Sequence, residues 1–204
     1  MKILSQDKLD EGLQFLSAQD ADLARVLTKH GPPNLRSQPP GFPTLLKIIL
    51  GQQVSRSSAA STYQRLCDAI GPPKPASFQT LDDDDLRAIG FSRQKTRYGR
   101  ELASAILEGR LQLDLLATRE DDEVRAVLTA LPGIGPWSAE IYLLFALRRT
   151  DAWPASDLGI IVGAQKVKGL AARPSRNELD AMADNWRPWR GLATFVLWHG
   201  YQLM

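Results

Sequence analysis

At 204 residues, with 44% hydrophobic and 24% charged side chains, the chain can bury one substantial core or two small helical subdomains, and it is too apolar for extended disorder. A formal net charge of +2 neither demands nor forbids a nucleic-acid partner, because local charge distribution matters more than the total. Cys67 is the only cysteine, which excludes an intrachain disulfide and a four-cysteine iron–sulfur cluster, and His30 and His199 are too few to complete a structural zinc site with it.

Helical periodicity dominates from the start, and no segment shows the alternation of a half-buried strand. Leu9, Leu13, Leu16, Leu23 and Leu27 share a helical face over about Asp7–Lys29, with a break expected near Ser17–Asp20. A proline-rich connection follows, from His30 to Gly41. Leu45, Leu46, Ile48, Ile49 and Leu50 then mark a deeply buried helix over about Phe42–Gln53. Ser55 is placed to cap a helix that runs to Ile70 and stops at Gly71-Pro-Pro. Thr80-Leu-Asp-Asp opens a short helix ending near Gly90, with Asp82–Asp85 read as its acidic N-terminus rather than a metal site. Ser92 starts the next helix, to about Gly109, and another covers Glu120–Ala130. After Trp153-Pro-Ala-Ser-Asp157 two more helices are expected, the second ending in the aromatic segment Trp186–Trp198. The fold class is therefore all-α. The N-terminal residues lack a secretory apolar run, and the apolar stretches Leu45–Leu50 and Ile141–Leu147 are too short to span a bilayer. The expected setting is intracellular and reducing, with no membrane partner.

Leu131-Pro132-Gly133-Ile134-Gly135 is the most informative local segment. Two glycines permit a sharp turn and close approach of an anion, and Pro136 suits a first helical position. Amides at a helix N-terminus attract phosphate, so Gly133, Ile134 and Gly135 are candidate phosphate-binding residues. The pentapeptide alone fits a plain αα-turn equally well. Such a turn grips backbone phosphate and reads no base edge. Arg93, Lys95, Arg97 and Arg100 offer a second phosphate contact, or a solvated helix face. Asp157, followed by Leu158-Gly-Ile, reads locally as a helix N-cap.

Taken together, Gly41-Phe42, Ile49-Leu-Gly-Gln-Gln-Val-Ser55, Gly90-Phe-Ser-Arg-Gln-Lys95, Leu131-Pro-Gly-Ile-Gly135 with Trp137, Pro154-Ala-Ser-Asp-Leu-Gly159 and Trp186-Arg-Pro-Trp-Arg190 resemble the helix-hairpin-helix-GPD superfamily of DNA glycosylases. The 3-methyladenine DNA glycosylase II branch is the most similar, in a compact form without that branch's N-terminal β domain. Each fragment is weak alone; their order and spacing are specific. The resemblance implies two helical subdomains flanking a DNA-binding cleft, with 1–204 as one glycosylase unit. Residues 40–150 would form the central subdomain, and 1–39 plus 151–204 the other.

The resemblance further implies that Asp157 is the catalytic carboxylate, a role compatible with capping. It implies Gln53 as the wedge that fills the gap left by an extruded nucleotide, against a plain helix-end glutamine. Of the five tryptophans, Trp137 and Trp198, with Tyr142, are the expected pocket residues, whereas Trp186 and Trp189 are expected to pack. An aromatic pocket suits a cationic alkylated purine, and no acid partner for Asp157 is evident beyond His199 or Glu140. Bifunctional relatives carry a Schiff-base lysine where this chain has Trp137, and no lysine occurs between Lys95 and Lys166. The expected activity is thus a monofunctional glycosylase acting as a monomer on double-stranded DNA with alkylated bases, in the cytoplasm or nucleoid. The preferred lesion stays open among 3-methyladenine, 7-methylguanine, 1-methyladenine, ethenoadenine and hypoxanthine. No cofactor is required; the resemblance implies a Na+ or K+ ion on the backbone carbonyls of Thr129, Leu131 and Ile134. The alternatives are a non-catalytic hairpin module that senses damaged DNA, and a glycosylase/lyase for oxidised bases.

Overall fold

Turn chemistry written in the sequence sets most of the helix boundaries. The computed structural model describes residues 3–203, which fold as α1 (Gln6–Gln19), α2 (Ala21–His30), α3 (Phe42–Leu50), α4 (Arg56–Ile70), α5 (Pro75–Gln79), α6 (Asp83–Ile89), α7 (Arg93–Leu107), α8 (Leu113–Leu116), α9 (Asp121–Thr129), α10 (Pro136–Phe145), α11 (Leu158–Val167), α12 (Arg176–Asp184) and α13 (Arg190–Leu203). Among the described residues there is no strand, only an isolated bridge between Ile3 and Arg149. The all-α expectation holds. Ser55 caps α4 by accepting the Ser58 N–H, Ser92 caps α7 through Lys95 N–H, and Asp82 with Asp85 forms a capping box on α6. Gly90, at φ 108°, ends α6 in the left-handed region.

Two expectations change. The short helices α5 and α8 lie where no pattern was read, being too brief to show periodicity. After Trp153 there are three helices rather than two: α12 stops at Asp184, and the aromatic stretch itself becomes α13 once the chain has passed Pro188.

The chain divides into two units, Met1–Ser37 with Leu143–Met204, and Gln38–Tyr142. The second junction falls inside α10, earlier than residue 150, because the residues after it are tied to the first unit. Leu143 O accepts the Arg149 N–H at 2.9 Å, and the Leu144 side chain lies against Gly191.

In the first unit α13 is the central element. Gly191–Trp198 is buried along its whole length, as a helix apolar on every side requires. Leu16 of α1, Leu23 and Val26 of α2, and Ile160, Ala164 and Val167 of α11 supply the surrounding core. Gly163 lets α11 approach closely, since a Cβ there would sit 2.8 Å from Leu197 O. Asp20, 8% exposed, breaks α1 from α2 and caps α2 through the amides of Asp22 and Leu23. Its carboxylate also accepts from Lys168 Nζ at 2.6 Å and Trp186 Nε1 at 2.8 Å. Burial alone would raise its pKa; the Lys168 and Trp186 hydrogen bonds outweigh that and hold it below the ordinary aspartate value.

In the second unit α3 is the buried helix, with Leu45, Leu46, Ile49 and Leu50 at most 2% exposed. Phe78 of α5 meets Phe42 and Phe91 edge-on or tilted, at centroid distances of 5.9 and 5.6 Å. Gly99 of α7 leaves room for that ring and for Leu46. Among the described residues no helix is long and apolar enough to cross a membrane.

Candidate functional site

The hairpin joins α9 to α10 in the second unit. Gly133 takes φ 87°, a conformation that side chains resist, and the Tyr98 ring sits where its Cβ would be. Ile134 N–H donates to Leu131 O at 3.1 Å, closing the turn, while both side chains are buried at 4% and 9% exposure. Gly135 is exposed, with open space where a Cβ would project, and its carbonyl accepts the Ala139 N–H at 3.0 Å to start α10. The first-turn amides of α10 have no carbonyl of their own helix to bond. A glycine-lined, positively polarised rim of this kind suits a phosphate.

A second turn follows α3. Gln53 is exposed and sits at φ 56°, unusual for a residue with a side chain and costing about 1–3 kcal/mol. Beside it, Gln52 Nε2 donates to Gly133 O at 2.8 Å and to Ser138 Oγ at 3.0 Å. Lys95, a candidate phosphate contact, donates from Nζ to Leu50 O at 2.7 Å, capping the end of α3. Burial of that ammonium lowers its pKa from the usual lysine value. Gln94 Nε2 bonds Tyr98 Oη at 2.6 Å, steadying the ring packed on Gly133.

In the first unit Asp157 is the N-cap of α11 and half-buried. Its Oδ1 accepts from Ile160 N at 3.1 Å and from Trp198 Nε1 at 3.0 Å. The Trp198 ring, 9% exposed, stacks on Phe145 with centroids 5.7 Å apart and planes 6° from parallel, and Phe195 meets it edge-on at 5.8 Å. Two aromatic rings thus hold the indole, and the indole holds the carboxylate. Gly159 makes this pairing fit: a Cβ there would stand 2.9 Å from Asp157 Oδ1 and 3.0 Å from Trp198 Nε1.

The other candidates fall in different surroundings. Tyr142 is fully buried, and its hydroxyl accepts the Gly41 N–H at 3.0 Å; burial raises its pKa although the Gly41 bond opposes the shift. Trp137 is half-buried in the first turn of α10. Glu140 is bound to Arg125 Nε at 2.5 Å, and His199 Nε2 lies 3.3 Å from His30 O. Trp186 and Trp189 are buried packing residues. Sequence reasoning missed Gln52, Tyr98, Phe145, Gly159 and Phe195. Gln52 and Gly159 lay inside quoted motif fragments, but their partners are distant in sequence.

Residues 46–190 match the model of the HhH-GPD superfamily base excision DNA repair proteins. The chain therefore belongs to that superfamily. The DNA-3-methyladenine glycosidase of Bacillus halodurans is similar at TM-score 0.84 and 30% identity, covering 98% of this chain and 93% of that one. The 3-methyladenine DNA glycosylase of Schizosaccharomyces pombe, solved in complex with abasic DNA, gives TM-score 0.85 at 26% identity, covering 92% of this chain and 95% of that one. The chain is 27% identical over 165 residues to DNA-3-methyladenine glycosylase 2 of Escherichia coli, 76% of this chain and 55% of that protein. It spans 58% of a 30%-identical Bacillus subtilis relative and 41% of a 31%-identical Mycobacterium tuberculosis relative.

Proposed function

We propose that the protein is a monofunctional DNA glycosylase that rotates an alkylated purine nucleotide out of the duplex and hydrolyses its N-glycosidic bond, leaving an abasic site. The observation that carries this reading is the Asp157 carboxylate, held at the start of α11 by the Trp198 indole and the Ile160 amide. As the base departs, positive charge grows on the sugar. A carboxylate fixed before the reaction stabilises that charge without reorganising, and it orients the attacking water. An alkylated, cationic purine is already a good leaving group and hardly needs a general acid. The family's shared chemistry with the 3-methyladenine glycosylases of Bacillus halodurans and Schizosaccharomyces pombe supports the substrate class.

The hairpin turn of the second unit takes the role of phosphate grip, with Gly133, Ile134 and Gly135 presenting backbone rather than side chain. Gln53 is assigned the space vacated by the nucleotide; an exposed side chain on a strained turn matches that task. Trp137 and Trp198 are the aromatic groups assigned to the base, Trp198 also as the donor to Asp157. Position 137 bears an indole, which has no amine to form a Schiff base. The carbonyls of Thr129, Leu131 and Ile134 lie at the negative end of α9 and in the turn beyond it. Leu131 O keeps a second lone pair after accepting Ile134 N–H, so this donor set fits a hard monovalent cation. Such an ion would add positive charge beside a bound phosphate.

A panel of duplexes, each carrying one alkylated base, tests the reading. Alkali-labile abasic sites are expected on at least one of them. Borohydride is expected to trap no protein–DNA adduct; a trapped adduct would establish a lyase instead. Gly159→Ala is expected to slow base release roughly ten- to hundredfold by displacing the carboxylate or the indole, with duplex affinity kept. Single-turnover release rates alongside a binding isotherm check this.

A further inference from the structure

We infer that Gln52 is a positioning residue that couples the phosphate-holding hairpin to the Gln53 turn, so that gripping the backbone and extruding the nucleotide become one mechanical event. The inference rests on the reading of Gln53 as the wedge. Its geometry lies wholly within the second unit. Gly133 O is an acceptor only, so the partner at 2.8 Å must be the Gln52 NH2 group; this fixes the amide's orientation without reference to any other atom. The second amide hydrogen then falls to Ser138 Oγ at 3.0 Å, on a side chain 2% exposed in the first turn of α10. One carboxamide therefore spans both sides of the phosphate rim, the left-handed glycine before it and the helix start behind it.

The other end of Gln52 is the backbone that enters Gln53. Leu50 O, just before, is held by Lys95 Nζ at 2.7 Å, and Lys95 shares α7 with Tyr98, whose ring rests on Gly133. Two routes, one through Gln52 and one through α7, thus tie the turn that bears Gln53 to the same glycine. The side chains of Gln53 and Val54 themselves are exposed, which leaves them available to enter DNA. A phosphate drawn onto the hairpin amides would consequently be sensed by the turn, most directly through the Gln52 carboxamide. Leucine at position 52 keeps the volume and removes both donors.

The test uses single-turnover base release with the intact protein in excess. The duplex carries one lesion that the wild type excises and a neighbouring 2-aminopurine that brightens when the stack opens. For Gln52→Leu the protein concentration at half-saturation is expected to stay within about twofold. The plateau rate should fall about tenfold, the equivalent of one hydrogen bond's worth of stabilisation, and the fluorescence rise should be lost. Placing the same lesion in a single-nucleotide bulge, where no partner base must be broken away, should restore the rate to within about threefold of wild type. Ser138→Ala, which keeps the Gly133 bond, should show a smaller deficit at an unchanged melting temperature. An unchanged plateau rate in Gln52→Leu overturns the inference alone. So does a deficit that persists on the bulge, or an affinity loss that parallels the rate loss, since either marks Gln52 as a mere prop. A wild type that releases no base from any duplex overturns this inference together with the proposed function.

Discussion

Asp157→Asn is expected to slow base release about a thousandfold, or about 4 kcal/mol of transition-state stabilisation, while duplex binding survives. The substitution is close to isosteric. The asparagine carbonyl still accepts from Trp198 Nε1 and Ile160 N, which lie 3.0 and 3.1 Å from Oδ1 in the wild type, so the cap of α11 and the indole stay in place. The negative charge disappears, and one carboxylate oxygen gives way to an NH2 group. Because that charge opposes the positive charge that develops at the sugar, the loss falls on the chemical step and leaves ground-state binding intact. One fewer negative charge near DNA phosphates should, if anything, tighten association at low salt. Single-turnover release beside fluorescence-anisotropy binding separates the two effects. A parallel loss of binding and release would instead mark Asp157 as structural.

Asp20→Ala should cost the largest share of stability of any single change, about 3–5 kcal/mol. It strands the Lys168 ammonium, removes the acceptor of the buried Trp186 indole and deletes the cap of α2 in one step. Asp22, 3.2 Å from Lys168, offsets part of the stranded charge, which places the expectation toward the lower end. Set against the about 5–15 kcal/mol that typically stabilises a domain, the loss is severe. Asp20 binds protons less readily in the folded state than in the unfolded chain. Its contribution is therefore present above the ordinary aspartate pKa, about 3.9, and fades as pH falls through the lower folded value. Urea unfolding at neutral pH and near pH 3 checks both parts: the gap between wild type and Asp20→Ala should narrow in acid. A gap of under about 1 kcal/mol at pH 7 would place the network among ordinary surface pairs.

The parts legible in the sequence were those written in local turn chemistry. Ser55, Asp82, Ser92 and Asp157 each sit just before a helix and cap it, and the Gly133 turn appears where two glycines and Pro136 required it. Asp157 could be found as a cap from four residues, but its pairing with Trp198, 41 positions later, belongs to the packing of α11 on α13. Lys95 shows the same limit. The basic cluster suggested a phosphate contact, but no local spacing shows that its ammonium reaches back 45 positions to a helix-end carbonyl. Gln52 spans 81 positions to Gly133, and no spacing within one element can reveal that. The aromatic run of α13 misled because a helix buried on every side has no amphipathic period to read.

Free base and an unbroken strand bearing an abasic site are the products that define the account. Mass analysis of one alkylated duplex incubated with saturating protein measures both at once. The prediction is stoichiometric free base and an intact abasic strand from the wild type, and neither from Asp157→Asn at matched occupancy. Tight binding with every base still attached, or equal release by Asp157→Asn, would contradict it.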